Sequence, residues 1–124
     1  VHDQVGCPTY AADLAEALLA LTVRLQEDRA LSWGIYHFCG GGQASWFEFA
    51  LKIFEIASGY EKFRVREINP LTTEQYPTPA QRPANSVLDC TKFRECFKWD
   101  IPRWEDSLAR MLKKLYEQED ATPR

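Results

Sequence analysis

Arg82, Asn85 and Ser86 are the side chains of this sequence best suited to holding a polar ligand. The guanidinium of Arg82 is a planar fork that matches phosphate and carboxylate oxygens. Asn85 and Ser86 add small hydrogen-bonding groups three and four residues later. They follow Tyr76-Pro77-Thr78-Pro79-Ala80-Gln81-Arg82-Pro83, which holds three prolines. Proline fixes φ and removes a backbone donor, so residues 76–83 are expected to form an ordered loop, neither helix nor ladder strand. A stiff loop that delivers Arg, Asn and Ser to one place fits an anion or polyol site. A surface connector with a solvated arginine is the plainer alternative.

Other residue types with chemical potential are less suggestively spaced. Cys7, Cys39, Cys90 and Cys96 contain no C-x-x-C pair, and neither His2 nor His37 stands at ligand spacing from a cysteine. Reduced thiols are expected, and no metal centre. Gly40-Gly41-Gly42 lies between an apolar run and a helical pattern. It matches neither G-x-G-x-x-G nor G-K-[ST], so a tight turn is expected rather than a phosphate loop. His37 sits within the apolar run and reads as a core histidine.

The elements that must position these groups follow from pattern. Val1–Gln4 reads as a short strand and Gly6–Thr9 as a turn, with Thr9 a candidate helix cap. Leu14, Leu18, Leu21 and Leu25 then repeat at helical spacing and predict a buried stripe, with Gln26–Arg29 as the polar end of the helix. Residues 34–39 read as a strand apolar on both faces. Ser45 and Glu48 form a capping box for a helix with Trp46, Phe49, Ala50, Ile53, Phe54 and Ala57 as its core face, ended by Gly59. With Lys52 as the single basic residue among them, its aromatics read as core rather than as a stacking platform. Residues 63–68 alternate as a half-exposed strand. Residues 85–89 predict a short strand and residues 91–97 a short helix. A last helix buries Trp104, Leu108, Met111 and Leu115. Residues 117–124 read as a frayed tail.

The chain has 124 residues, 45% hydrophobic and 27% charged, with net charge −3. That is one ordinary globular domain or a piece of one. The acidic balance, with a pI near 5.4, argues against nucleic acid as a partner. No apolar run approaches the ~18 residues of a membrane span, and nothing reads as a signal peptide. The first residues look like mid-strand, as in a fragment. The predicted order β-α-β-α-β-loop-β-α-α is an α/β pattern with too few strands for a complete doubly wound sheet.

Several runs together resemble one family. Asp3-Gln4-Val5-Gly6-Cys7-Pro8-Thr9 followed by Asp13-Leu14-Ala15 is similar to the D-Q-x-G-x-P-T…D-L-A run of dTDP-4-dehydrorhamnose reductases. Gly34-Ile35-Tyr36-His37-Phe38, Ser45-Trp46-x-x-Phe49-Ala50, Arg82-Pro83-x-Asn85-Ser86-x-Leu88-Asp89 and Trp104-x-x-Ser107-Leu108 follow in the same order. The resemblance implies the C-terminal, substrate-side portion of a Rossmann-like extended short-chain reductase, with few strands and about four helices. Such an enzyme uses NADPH or NADH to make dTDP-L-rhamnose from dTDP-4-dehydro-L-rhamnose in the cytoplasm. The glycine-rich dinucleotide fingerprint is missing here, and no tyrosine has a lysine four residues later. The chain by itself is therefore expected to be inactive and to bind no cofactor. A non-catalytic, reductase-like regulatory subunit is the alternative, and a divalent metal requirement stays open.

The resemblance also implies a dTDP-sugar ligand. Arg82 would meet its diphosphate, Asn85 and Ser86 nearby oxygens, and Asp3, Gln4 and Thr9 the pocket rim. Thr9 as a cap, and Asp3 and Gln4 as a solvated strand end, are the structural alternatives. In that family the strand matching 34–39 joins the sheet of the cofactor domain. Left without that partner, it predicts self-association.

Overall fold

The computed structural model describes residues 1–27 and 33–120. The expected helix end at residues 28–29 and the last four residues of the expected tail lie outside the described residues. Helix α1 (Ala11–Glu27) and helix α2 (Trp46–Ala57) flank the first half. Helices α3 (Thr91–Phe97) and α4 (Trp104–Asp120) close the second. The sheet is small: β1 (Val5–Gly6) pairs antiparallel with β2 (Ala44–Ser45), Val5 opposite Ser45. On its other side Val5 makes a parallel bridge to Asn85. Val5 N–H donates to Ala84 O at 2.9 Å, and Ser86 N–H donates to Val5 O at 2.8 Å. Three distant segments thus meet at one residue.

Helix α2 begins as its sequence requires. Glu48 N–H donates to Ser45 Oγ at 3.1 Å, while Ser45 N–H donates to Glu48 Oε2 at 2.7 Å. Both orphan donors of the first turn are satisfied reciprocally. Ser45 itself is buried, so the cap also fixes where α2 leaves the sheet. One core lies between α2 and α4, built on Ala44, Ala57, Trp104, Leu108 and Leu112, with Phe49, Ile53, Ile56 and Met111 packed against it. A second joins Ala17 of α1 to Phe93 and Phe97 of α3, with Leu21, Tyr36 and Phe38 beside them. A buried polar clasp connects α1 to α4. Ser107 Oγ donates to Asp13 Oδ2 at 2.5 Å, and Arg110 pairs with the other oxygen of Asp13.

Several expectations are corrected. The first strand is Val5–Gly6 rather than 1–4, because Val5 is the residue that finds partners on both sides. Residues 34–39 form no ladder strand. They run one-sidedly instead: Tyr36 and Phe38 pack on Phe97 and Phe93 at 5.0 and 5.2 Å, while Ile35 and His37 face outward. His37 is accordingly exposed and not a core histidine. Lys92 takes the place of a ladder donor, giving a hydrogen bond to Ile35 O at 3.0 Å and standing 4.3 Å over the Tyr36 ring. Residues 63–68 are irregular and, apart from half-buried Ile68, exposed, and residues 85–89 contribute only the bridge at Asn85. A strand needs a neighbour to complete its backbone hydrogen bonds, and the described residues place none beside these segments.

The apolar stripes are also rotated from the expected faces. On α1 the buried positions are Asp13 and Ala17, while Leu14, Leu18, Leu19 and Val23 are exposed. Ala17 packs against Phe93 and Phe97 of α3 with Leu21 beside them, and Leu14, Leu18 and Leu19 are left on the outer side. On α4 Leu112 is buried and Leu115 exposed. On α2 Trp46 is 54% exposed, so it is no core residue. Helix α4 continues through Asp120, past the point where the tail was expected to begin. Among the described residues no helix is long and apolar enough to cross a membrane.

Candidate functional site

The three-way junction at Val5 floors a cavity of about 460 Å³. Its walls come from Gln4 to Thr9, from Ala44, Ser45, Trp46 and Phe49, and from Arg82, Pro83 and Ser86. The volume lies within the usual range for a small-molecule pocket, about 300–1,000 Å³. The proline loop delivers Arg82 to this cavity. Among the described residues Arg82 makes no hydrogen bond or ion pair, which leaves its guanidinium free for an anion.

Of the six residues expected at a site, Arg82, Ser86, Gln4 and Thr9 line the cavity. Ser86 Oγ donates to Val5 O at 3.2 Å, and keeps acceptor capacity for a ligand. Gly6 makes room for it, because a methyl group there would lie 2.7 Å from the Ser86 hydroxyl. Gln4 is buried and its amide donates to Thr73 Oγ1 at 3.0 Å. Thr9 does not cap α1, contrary to the cap reading. Its hydroxyl donates to Cys7 O at 2.9 Å and accepts from Gly40 N–H at 3.1 Å, which ties the cavity rim to the glycine run.

Asp3 and Asn85 do not line the cavity. Asp3 accepts the Thr73 N–H at 2.9 and 3.0 Å and the Thr73 hydroxyl at 2.9 Å. Asn85 Oδ1 accepts from Val87 N–H at 2.9 Å and shapes the turn after the bridge. The Thr73 backbone N–H, followed by the Thr73 hydroxyl, holds the Asp3 carboxyl below its ordinary value. A carboxyl with a lowered folded value stabilises above the unfolded value near 3.9 and loses that contribution as pH falls through the folded value. Asp3→Asn is therefore expected to lower the urea midpoint at pH 7, and the gap to the parent chain should narrow below about pH 4. A gap of equal size at pH 7 and pH 3 would contradict this account of Asp3.

The glycine run offers no dinucleotide cradle. Gly40 N–H is spent on Thr9, Gly41 N–H donates to Pro102 O at 2.8 Å, and Gly42 adopts φ +91° against the Trp104 ring. The glycine run is thus engaged by Thr9, Pro102 and Trp104 of this chain, and among the described residues no group of three or more His, Cys, Asp and Glu side chains could hold a metal ion. The cysteines are free thiols, with Cys39 Sγ 3.4 Å from Cys90 Sγ. Burial, then the neighbouring Cys90 and Cys7 thiols, push Cys39 far above the ordinary thiol range, so it is an inert thiol near neutral pH.

Trp46 is the cavity residue that the sequence reading missed. Helical spacing marks an apolar stripe without saying which edge of it stays uncovered, so the pattern alone places Trp46 in the core. The basic residue that shares its cavity, Arg82, is distant in sequence.

Four helices and a two-stranded sheet thus frame a ligand-sized cavity in an irregular α/β arrangement. The comparisons with known proteins agree. The chain belongs to the family described as RmlD substrate binding domain, whose model matches residues 1–117. A dTDP-4-dehydrorhamnose reductase of Sinorhizobium fredii is 40% identical over 115 residues, covering 90% of this chain and 38% of that protein. The crystal structure of a dTDP-4-dehydrorhamnose reductase from Clostridium acetobutylicum matches with a TM-score of 0.74 and 36% identity, over 93% of this chain and 37% of that one. The corresponding enzyme of Bacillus anthracis, solved in complex with NADP, matches with a TM-score of 0.69 and 33% identity, over 91% of this chain and 36% of that one. This chain thus spans less than two fifths of the length of these relatives.

Proposed function

We propose that this chain is the substrate-binding part of an NAD(P)H-dependent reductase that converts dTDP-4-dehydro-L-rhamnose to dTDP-L-rhamnose in the cytoplasm. The observation that carries the reading is the unpaired Arg82 guanidinium on a ligand-sized cavity with Ser86, Gln4 and Thr9. Arg82 neutralises the diphosphate, and Ser86 takes a neighbouring oxygen. Asn85 and Asp3 act one step back, by fixing the bridge and the Thr73 turn. The cofactor and the proton donor are supplied by a separate dinucleotide-binding portion, since this chain carries neither a glycine fingerprint nor a Tyr-x-x-x-Lys pair.

The test is complementation. The 124-residue chain alone is expected to leave NADPH unoxidised in the presence of dTDP-4-dehydro-L-rhamnose. Joined to the dinucleotide-binding portion of the Sinorhizobium fredii reductase, it is expected to support turnover. Oxidation by the isolated chain, or a folded chimera that binds NADPH without turnover, would overturn the assignment.

The exposed leucines of α1 supply the surface for that other portion. Leu14, Leu18, Leu19 and Val23 present apolar area to solvent on one helix. Ile35, 79% exposed, adds to the chain's uncovered apolar surface. Such surface ordinarily marks an interface. The chain on its own is expected to self-associate through it, giving a mass in sedimentation that rises with concentration. Leu18→Glu should reduce this association, and a monomer at every concentration would contradict it.

A further inference from the structure

We propose that Trp46 is the stacking wall for the base of a nucleoside diphosphate, and so the residue that distinguishes a nucleotide from a bare diphosphate. This rests on the reading of the cavity as a sugar-nucleotide site. Trp46 is the first residue of α2, directly after the buried cap Ser45, so the capping box fixes its backbone. Its ring meets Phe49 edge-on, with centroids 6.5 Å apart and planes at 71°. Phe49 in turn meets the buried Trp104 at 5.8 Å and 66°. This aromatic series anchors the indole to the core through its own helix, yet the side chain remains half exposed on the cavity.

A large aromatic side chain that meets Phe49 along one edge and is more than half uncovered offers a planar ring surface. The same cavity carries an unpaired guanidinium at Arg82. A ligand that satisfies both has an anionic diphosphate and a flat ring, which is the chemistry of a nucleoside diphosphate. Pro83 adds a second rigid apolar wall beside Arg82. Stacking on tryptophan suits any base, so it supplies affinity, and the choice among bases falls to other contacts.

The test uses the 124-residue chain, with dTDP and inorganic pyrophosphate as probes, by calorimetry and by indole fluorescence. The parent chain is expected to bind dTDP more tightly than pyrophosphate, with quenching of the indole emission. Trp46→Ala should weaken dTDP about 5- to 100-fold and leave pyrophosphate unchanged. Trp46→Phe should restore most of the dTDP affinity while losing the quench. Unchanged dTDP binding by Trp46→Ala would overturn the stacking role, and so would an equal loss for both probes, which would indicate a collapsed cavity. If the parent chain binds neither probe, the sugar-nucleotide reading itself falls. Binding of both probes that is insensitive to Trp46 but lost in Arg82→Ala would leave that reading standing and remove only the stacking proposal.

Discussion

Gly40→Ala is expected to cost the chain about 3 kcal/mol or more of stability, at the upper end of the range for overpacking. A Cβ at Gly40 would lie 2.1 Å from the Pro8 carbonyl oxygen and 3.4 Å from Trp104 Cβ. The first neighbour is backbone, so no side-chain rotation relieves the clash. Either the Pro8 segment or the glycine run must move. Each movement breaks something: the Gly40–Thr9 hydrogen bond on one side, or the Gly41–Pro102 and Trp104–Gly41 pair on the other. Against a typical domain stability of about 5–15 kcal/mol, such a loss is large. Gly34→Ala is the milder comparison, because its added methyl group meets no backbone and only the terminal ammonium of the Lys92 side chain at 3.1 Å. Urea denaturation of both variants is expected to show a lowered midpoint for the first and little change for the second. Equal midpoints would mean that Pro8 is not held where the structure puts it. Since Pro8 and Thr9 border the cavity, Gly40→Ala should also weaken any ligand there.

Local features of the fold were legible in the sequence. The Ser45–Glu48 capping box and the bounds of α3 depend on residues within a few positions of one another, and the structure has both. The proline loop is likewise neither helix nor strand, as its backbone chemistry requires. The strands were not legible, because a strand is defined by its partner. Val5 pairs with Ser45 and Asn85, while residues 34–39 and 63–68 have strand-like composition and no ladder neighbour among the described residues.

Helix faces were legible only in part. Leucine spacing on α1 established an amphipathic helix, but the buried side is the one carrying Asp13 and Ala17. Asp13 went unrecognised as a buried group because its acceptability there depends on Ser107 and Arg110, more than ninety residues away. The same holds for the cavity. Arg82, Ser86, Gln4 and Thr9 came from residue chemistry and family resemblance, whereas Trp46 could be placed only once the N-terminus of α2 was seen beside the proline loop.

Arg82 is the residue on which ligand binding in the cavity depends most directly. Its guanidinium is the one group lining the cavity that carries a full positive charge, and among the described residues it makes no hydrogen bond or ion pair. A charge-assisted contact of this kind contributes about 1.5–3 kcal/mol, or roughly 10- to 150-fold in affinity. The deciding measurement is a calorimetric titration of dTDP into the 124-residue chain and into its Arg82→Ala variant, with circular dichroism showing that both are folded. The expected result is binding by the parent chain and a loss of about 10- to 150-fold in the variant, with Arg82→Lys in between. Equal affinity of the parent and Arg82→Ala chains for dTDP would contradict the account and reduce Arg82 to a solvated loop residue.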